Sequence, residues 1–227
     1  MKFVVTAGPT REHLDPVRFL SNPSTGKMGF AVARAAAMRG HEVALVAGPV
    51  SLKTPKGVRR IDVTSAREML AAVEEEMSKA KSGKPTVFVA TAAVADWRPA
   101  KCAARKLKKG QMSDTLKLVR NPDILKEIGR RTKTVHSSNH PLAHSPTYLV
   151  GFAAETNDVI AEARRKCREK NLDMIVANDV TEKGSGFGVD TNRVTFVRKD
   201  GSVERLPLMT KLAVARRIVR ECEDLCP

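Results

Sequence analysis

Aromatic residues are scarce: seven phenylalanines, one tyrosine and one tryptophan make up 4% of 227 residues. That leaves few stacking platforms for a module that grips nucleic acid through its bases. No run of about 18 apolar residues occurs, so no membrane-spanning helix is expected, and the apolar part of the N-terminal MKFVVTAGPT is too short for a secretory leader. Cysteine is confined to Cys102, Cys167, Cys222 and Cys226. The last two stand four apart in a helical pattern with no further soft ligands nearby, which argues against zinc and for ordinary reduced thiols. The expectation is a cytoplasmic protein without a membrane partner. Acidic residues are also few, 25 against 40 basic ones, for a formal charge of +15. Such an excess suits nucleic acid, anionic lipid or a small anionic substrate, and part of it can simply solvate the surface.

With those classes narrowed, the length suits one large domain over residues 1–227, and a hydrophobic share of 42% allows a sizeable core. Residues 3–7 are a β-branched run ending in Gly8-Pro9-Thr10, a strand entering a loop. From Gly26, GKMGFAVARAAAMRG reads as a helix of small and apolar residues closed by Gly40. Residues 42–47 form a buried strand and 61–63 a shorter one. Ser65 and Glu68 make a capping box that opens a helix to about residue 80. The run TVFVATAAV, residues 86–94, is apolar throughout, as a central strand covered on both faces must be. Strands at 147–152 and 174–177 flank a helix at 157–170. Asp200-Gly201 marks a hairpin between 193–198 and 202–206, and an amphipathic helix covers 210 to about 225. This alternation predicts an α/β, Rossmann-like, doubly wound and mostly parallel sheet, completed by a C-terminal β-hairpin and helix.

Two segments break the rhythm. Residues 97–121 carry Lys101, Arg105, Lys106, Lys108, Lys109, Lys117 and Arg120, and the alternation in TLKLV predicts a projecting flap. Residues 132–146 hold His136, His140 and His144 at steps of four. Pro141 and Pro146 oppose the helix that would turn them into a metal face, so a surface insertion is expected.

Four stretches carry groups suited to chemistry. RFLSNPSTGKMG, residues 18–29, shares only its Gly-Lys pair with a Walker A loop: the earlier glycine would fall at Ser21, and Met28 stands where a magnesium-binding hydroxyl belongs. Ser24, Thr25, Gly26 and Lys27 nevertheless precede a helix N-terminus, which favours anions. An ordinary N-cap with a packing glycine would look the same. In ATAAVADWRP, the small Ala90, Thr91 and Ala92 let a ligand approach the backbone at the carboxyl end of a strand. Asp96 can accept from a ribose hydroxyl, help hold a cation, or merely close a turn. The third stretch is KLKK at 106–109. The fourth joins GFAAET at 151–156 to Lys166 and Lys170, which share a helix face and suit either successive phosphates or solvent. Asn178-Asp179 also ends a strand on the carboxyl rim.

Taken in order, VTAGPTRE, DPVRFLSNPSTGKMG, AAVADWRP, KLKK, LVRNPDIL, VGFAAET, ARRKCREKNLDMIVAND and GFGVDTN resemble phosphopantothenate-cysteine ligase, the amide-forming enzyme of coenzyme A biosynthesis, over nearly the whole chain. The resemblance implies activation of 4'-phosphopantothenate by CTP to an acyl-cytidylate and pyrophosphate, followed by acyl transfer to L-cysteine with release of CMP. CTP is expected over ATP because AAVADWRP and KLKK look bacterial. By the same resemblance, Asn22 holds the acyl carbonyl or acyl phosphate, Lys106 closes over the activated intermediate, and Arg18 lies near the substrate. Ala90, Thr91, Ala92, Asp96, Asn121, Pro122, Asp123, Ile124 and Phe152 would frame the nucleotide, with Lys106, Lys166 and Lys170 on its phosphates. Ser24, Thr25, Gly26 and Lys27 would receive the acyl phosphate and the substrate's own phosphate.

Magnesium or manganese is implied as cofactor, with no ligand assigned. A homodimer is implied, its flap reaching into the neighbouring site. Bacterial members are often fused behind a flavin-dependent decarboxylase; this chain starts at the ligase's first strand, which implies a stand-alone ligase with any decarboxylase separate. The histidine insertion is longer than the family pattern, and Pro23 and Thr25 vary its SN-x-SSGKMG. Two rival classes fare worse. A nicotinamide-dependent reductase would want G-x-G-x-x-G and Tyr-x-x-x-Lys, and Tyr148 is the only tyrosine. A basic nucleic-acid module predicts salt-sensitive oligonucleotide binding, and no such partner is expected.

Overall fold

The computed structural model describes residues 1–227 except 82, 109–114, 136–145, 183 and 227, with backbone alone for 133–135. The chain begins with β1 (Lys2–Ala7), β2 (Arg11–His13), β3 (Phe19–Ser21), α1 (Lys27–Met38), β4 (Glu42–Ala47), β5 (Arg59–Asp62) and α2 (Ala66–Ser78). It continues through β6 (Thr86–Ala90), β7 (Trp97–Pro99), β8 (Leu118–Arg120), α3 (Ile124–Val135) and β9 (Thr147–Glu155). It closes with α4 (Val159–Glu169), β10 (Met174–Asp179), β11 (Thr191–Asn192), β12 (Thr195–Arg198), β13 (Val203–Arg205), β14 (Met209–Thr210) and α5 (Lys211–Asp224).

Every residue of β1 is buried, so its side chains must find apolar partners on both faces. Phe3, Val5 and Ala7 join Phe30 and Val32 of α1 and Ile218 and Val219 of α5. Val4 turns the other way, into a second core with Met69 of α2, Ile128 of α3 and Cys167 of α4. Five parallel neighbours build outward from this strand in the order β5-β4-β1-β6-β9-β10, and the antiparallel β12 and β13 extend the far edge. The winding therefore reverses between β1 and β6. In an open sheet of this kind the ligand crevice lies outside the carboxyl ends of the strands at that reversal.

Several expectations need correction. The central strand stops at Ala90 rather than running to residue 94, because the next residues turn to the end of β1 and the loop after it: Thr91 Oγ1 donates to the Thr6 carbonyl, and Ala93 N donates to Gly8 O at 2.9 Å. Helix α3 was not anticipated, and it carries residues 132–135, the start of the expected insertion, in helical form. His136, His140 and His144 lie outside the described residues, as does Lys109. The β2–β3 hairpin also went unread, since strands of three residues are too short for a periodicity to register. The expected flap has an antiparallel base, β7 on β8, from Trp97 opposite Arg120 to Pro99 opposite Leu118.

Beneath the sheet, Glu76 is only 2% exposed yet charged. Lys79 Nζ lies 2.9 Å from it and Lys2 Nζ 3.5 Å, and Arg59 donates to it as well. Burial alone would raise its pKa, but Arg59 and Lys79 outweigh burial and bring it to about 2. A lowered folded-state pKa stabilises the protein above the ordinary carboxylate range, and that stability is lost as pH falls from about 4.5 toward 2. Glu76→Gln strips these cations of their counter-charge. It should cost roughly 3 kcal/mol, a fall of about 6–12 °C in Tm at pH 7. The gap between variant and wild type should close as the melts are repeated toward pH 3.

Candidate active site

Helix α1 starts without the usual side-chain cap. Gly26 occupies the N-cap position at φ 77°, no side chain there accepts a helix N–H, and no acidic residue lies in the first turn. Such a terminus leaves its amides for another anion. It also sits unusually close to the sheet: a Cβ on Gly29 would lie 2.4 Å from Thr91 Oγ1 and 2.5 Å from Ala7 Cβ, so only glycine lets the helix end on the rim.

The space in front of this terminus is a cleft of about 120 Å³. Residues 24–29 form one wall, Thr91, Ala92 and Ala93 the floor, and Phe152, Ala154, Asn178 and Val180 the far side. Gly186, Phe187, Asn192 and Lys211 complete it. Lys27 Nζ donates to Gly188 O and to Asp190 Oδ1, both at 2.7 Å, and this lysine holds the Asp190 carboxyl below its usual range. Lys211, 7% exposed, donates to Gly186 O at 2.9 Å and Val189 O at 2.6 Å. Burial, reinforced by the nearby Lys27 charge, pulls its pKa below that of an ordinary lysine.

A second cluster adjoins the rim on the β2–β3 hairpin. Asn22, just past β3, donates from Nδ2 to Ala93 O at 3.1 Å, which puts its amide beside the cleft floor. At the turn of the same hairpin Asp15 is wholly buried. It accepts from Val17 N at 2.9 Å, Arg18 N at 2.8 Å, Arg18 Nε at 3.0 Å and Leu107 N at 3.2 Å. The Arg18 guanidinium keeps the Asp15 carboxyl far below the usual carboxylate range. Arg18 Nη2 also donates to Leu107 O at 2.9 Å. Leu107 is thus held at both backbone atoms, and the exposed Lys106 beside it is carried on that anchor.

The structure therefore gathers Ser24, Thr25, Gly26, Lys27, Thr91, Ala92 and Phe152 around one cleft, with Ala90 ending the strand beneath them. Asn22 meets this cleft at Ala93, while Arg18, at the far end of the hairpin, bonds to Leu107, the residue after Lys106. Asn121 is tied to the loop after β6: its amide N donates to Asp96 O at 2.8 Å, and Nδ2 to Ala95 O at 2.8 Å. Pro122, Asp123 and Ile124 follow at the start of α3, where Asp123 Oδ1 accepts from Lys126 N at 3.0 Å. Lys166 and Lys170 do not line the cleft. Lys166 pairs with Glu155 and Lys170 with Asp123, the latter at 2.8 Å.

Sequence reasoning missed Lys211, Phe187 and Asn192. One signal existed for Lys211: it is a cation in the first turn of a helix, where the backbone dipole disfavours positive charge. Phe187 sits in GSGFGVD, whose glycines permit the loop but do not reveal what it faces. Among the described residues no group of three His, Cys, Asp or Glu side chains is placed to hold a metal ion. Nor, among them, is any helix long and apolar enough to cross a membrane.

Residues 1–225 match the family described as DNA/pantothenate metabolism flavoprotein C-terminal domain. The chain is 48% identical over 220 residues to the coenzyme A biosynthesis bifunctional protein CoaBC of Vibrio cholerae, an alignment covering 96% of this chain and 51% of that protein. The bifunctional protein CoaBC of Bacillus subtilis is 48% identical over 223 residues, 98% of this chain and 51% of its own length. The chain thus spans about half the length of these curated relatives. A crystal structure of the C-terminal domain of CoaBC superposes with a TM-score of 0.77 at 41% identity, covering 99% of this chain and 94% of that one. A Cab2 mutant in complex with phosphopantothenate-cysteine shares the fold, with a TM-score of 0.74 at 16% identity over 97% of this chain and 84% of its own. Matched from end to end by the family and by relatives near half identity, the chain belongs to the DNA/pantothenate metabolism flavoprotein C-terminal domain family.

Proposed function

We propose that this chain is a phosphopantothenate-cysteine ligase that works through an acyl-cytidylate in coenzyme A biosynthesis. The observation that carries the reading is the uncapped α1 terminus opening, beside Asn22, onto the carboxyl rim where the sheet's winding reverses. Relatives named for coenzyme A biosynthesis support it.

A carboxylate is a poor acyl electrophile, so it must first gain a leaving group. A carboxylate oxygen of 4'-phosphopantothenate attacks the α-phosphorus of CTP; the new O–P bond forms as the bond to the bridging oxygen breaks, and pyrophosphate leaves with that electron pair. The cysteine amine then attacks the acyl carbon, a C–N bond forms, the C–O bond to the nucleotide breaks, and the amine's proton passes to solvent as CMP departs. Residues 24–27 and the amides of α1 receive phosphoryl charge. Asn22 supplies a neutral donor where charge builds on the acyl oxygen. Lys106, on its Asp15–Arg18 anchor, closes over the anhydride and keeps water away.

A magnesium ion fits this donor set only as a companion of the nucleotide: with no carboxylate cage among the described residues, phosphate oxygens and at most one or two carboxylates, such as Asp96, would hold it. Bound there, it would neutralise phosphate charge. A homodimer suits the exposed apolar side chains of two adjoining hairpins, Val17 and Phe19 on one, Trp97 and Leu118 on the other.

The test is pyrophosphate release from CTP with 4'-phosphopantothenate, run with and without cysteine. Release that needs the acid but not the amine is expected; no nucleotide consumption under any combination overturns the reading. Lys106→Gln should keep cysteine-independent pyrophosphate release and slow amide formation about 100-fold. Equal loss of both steps would refute the role given to Lys106.

A further inference from the structure

Helix α1 carries Lys27, Ala31, Arg34 and Met38 at a spacing that places them on one face. That face is one wall of a groove of about 830 Å³, which shares only Lys27 and Lys211 with the lining of the cleft. The loop after β4 and the start of α5 form its other walls. The volume lies within the usual span of small-molecule sites, roughly 300–1,000 Å³.

These walls are held from behind. Arg60 donates from Nη1 to Leu52 O at 2.8 Å and from Nη2 to Val50 O at 3.3 Å, and its guanidinium lies 5.3 Å from the centre of the Phe30 ring. Val58 N closes a turn on Pro55 O at 3.2 Å. The turn rests on α1, with Ala37 Cβ 3.8 Å from where a Cβ on Gly57 would stand. On the third side Thr210 caps α5 through Ala213 N. The groove is therefore formed before any ligand arrives.

Its charge is not balanced. Lys27 is met by Asp190, and Lys211 donates to the carbonyls of Gly186 and Val189. Arg34, Lys53 and Lys56 have no carboxylate partner among the described residues. Pairing is the rule close by, where Arg39, five residues beyond Arg34, meets Glu223 at 2.6 Å. In the same groove Phe30 is buried and Ala31, Leu52 and Leu212 are half-buried. Solvation would account for three exposed cations, but it gives no reason for a preformed apolar floor beside them. A membrane surface would want apolar side chains that protrude, and among the lining residues only Met38 does so, at 59% exposure.

We propose that this groove is a second ligand site, for a soluble amphiphilic anion: an acidic head, phosphate or carboxylate, on Arg34, Lys53 and Lys56, and an apolar chain on Ala31, Leu52 and Leu212. The site uses none of the chemistry of the cleft, so binding alone tests it.

Decyl phosphate, kept below its micelle-forming concentration, is titrated calorimetrically into the full chain. A single saturable site is expected, with inorganic phosphate and decanol each at least tenfold weaker because each supplies only half of the match. Arg34→Glu combined with Lys53→Glu should weaken decyl phosphate at least tenfold at low salt, since two attractions become repulsions. Ala31→Phe should weaken it similarly by filling the floor while leaving the cations in place. These positions lie at the surface, so both variants should melt close to wild type. Trp97→Ser, in the exposed apolar patch at the base of the flap, should bind as wild type does. Wild-type affinity in either groove variant, equal affinity for inorganic phosphate, or loss of binding in Trp97→Ser would each overturn the proposal. So would sedimentation of the chain with phosphatidylglycerol vesicles that the double charge reversal abolishes, which would make the groove a membrane contact.

Discussion

Asn22→Ala should slow cysteine-dependent amide formation by roughly 100-fold to 1,000-fold, the range seen when one preorganised donor is removed from a site of developing negative charge. Asn22 is half-buried, and its Nδ2 already points at the Ala93 carbonyl, 3.1 Å away, so the amide is oriented before any substrate arrives. That orientation has a chain of supports. Ala93 N is held by Gly8 O at 2.9 Å, and Ala95 N by the buried Thr10 Oγ1 at 3.0 Å. The donor therefore needs little reorganisation when the acyl oxygen gains charge. Asn22→Asp tests the same point with side-chain size unchanged, since it replaces a donor by a repelling carboxylate. It should be at least as slow as the alanine variant. Because the side chain lies at the edge of the fold, both variants should melt close to wild type. Full activity in either, with folding intact, would remove Asn22 from the chemistry.

The architecture was legible in the sequence wherever a segment met one environment along its whole length. Residues 42–47 read as a buried strand because the five after Glu42 are covered by protein, and α5 announced itself through Val214, Ile218 and Cys222, all fully buried and spaced for one helix face. Reading failed where the environment changes partway. Residues 91–94 are as apolar as the strand before them, yet Thr91 and Ala92 bond to Thr6 near the end of β1 and Ala93 bonds to Gly8 and Thr10 in the loop after it, a choice dictated by tertiary contact and invisible to periodicity. Helix α3 was hidden because Pro122 and a polar continuation resemble a loop; among its described side chains, Ile124, Leu125 and Ile128 are the apolar ones that reach the core. The site followed the same division. Ser24 through Lys27 were found because local order, a loop entering a helix, defines an anion site. The places of Lys211 and Phe187 in the cleft lining depend on a fold-back of the last helix onto residues 186–190, which no local pattern encodes. Lys166 lies in α4 and Lys170 is its C-cap, and each finds a carboxylate from another element, Glu155 and Asp123.

The same long-range logic makes Asp15 the most sensitive residue outside the cleft. Asp15→Ala should lower overall amide synthesis by about 1,000-fold, because it removes the shared anchor of two groups whose contributions multiply rather than add. One buried carboxylate orients the Arg18 guanidinium, closes the turn through Val17 N and Arg18 N, and fastens the flap at Leu107 N. Without it, Arg18 loses its orientation and Leu107 keeps only the Arg18 Nη2 contact, itself dependent on that orientation. Lys106 would then start from a disordered approach. Asp15→Asn separates the two parts of the role: an amide oxygen can still accept from one backbone N–H, but the charge that fixes Arg18 is gone. It should still fold, with a lower Tm than wild type, and show an intermediate loss, concentrated in the cysteine-dependent step, while cysteine-independent pyrophosphate release stays closer to wild type. The arginine also sets the sign of the pH response. Since Arg18 holds the Asp15 carboxyl far below its ordinary range, the anchor should stay charged, and amide synthesis should show no loss from this group as pH falls through the ordinary carboxylate range. A well-folded Asp15→Asn with undiminished amide synthesis would show that the hairpin and flap reach the site without this carboxylate.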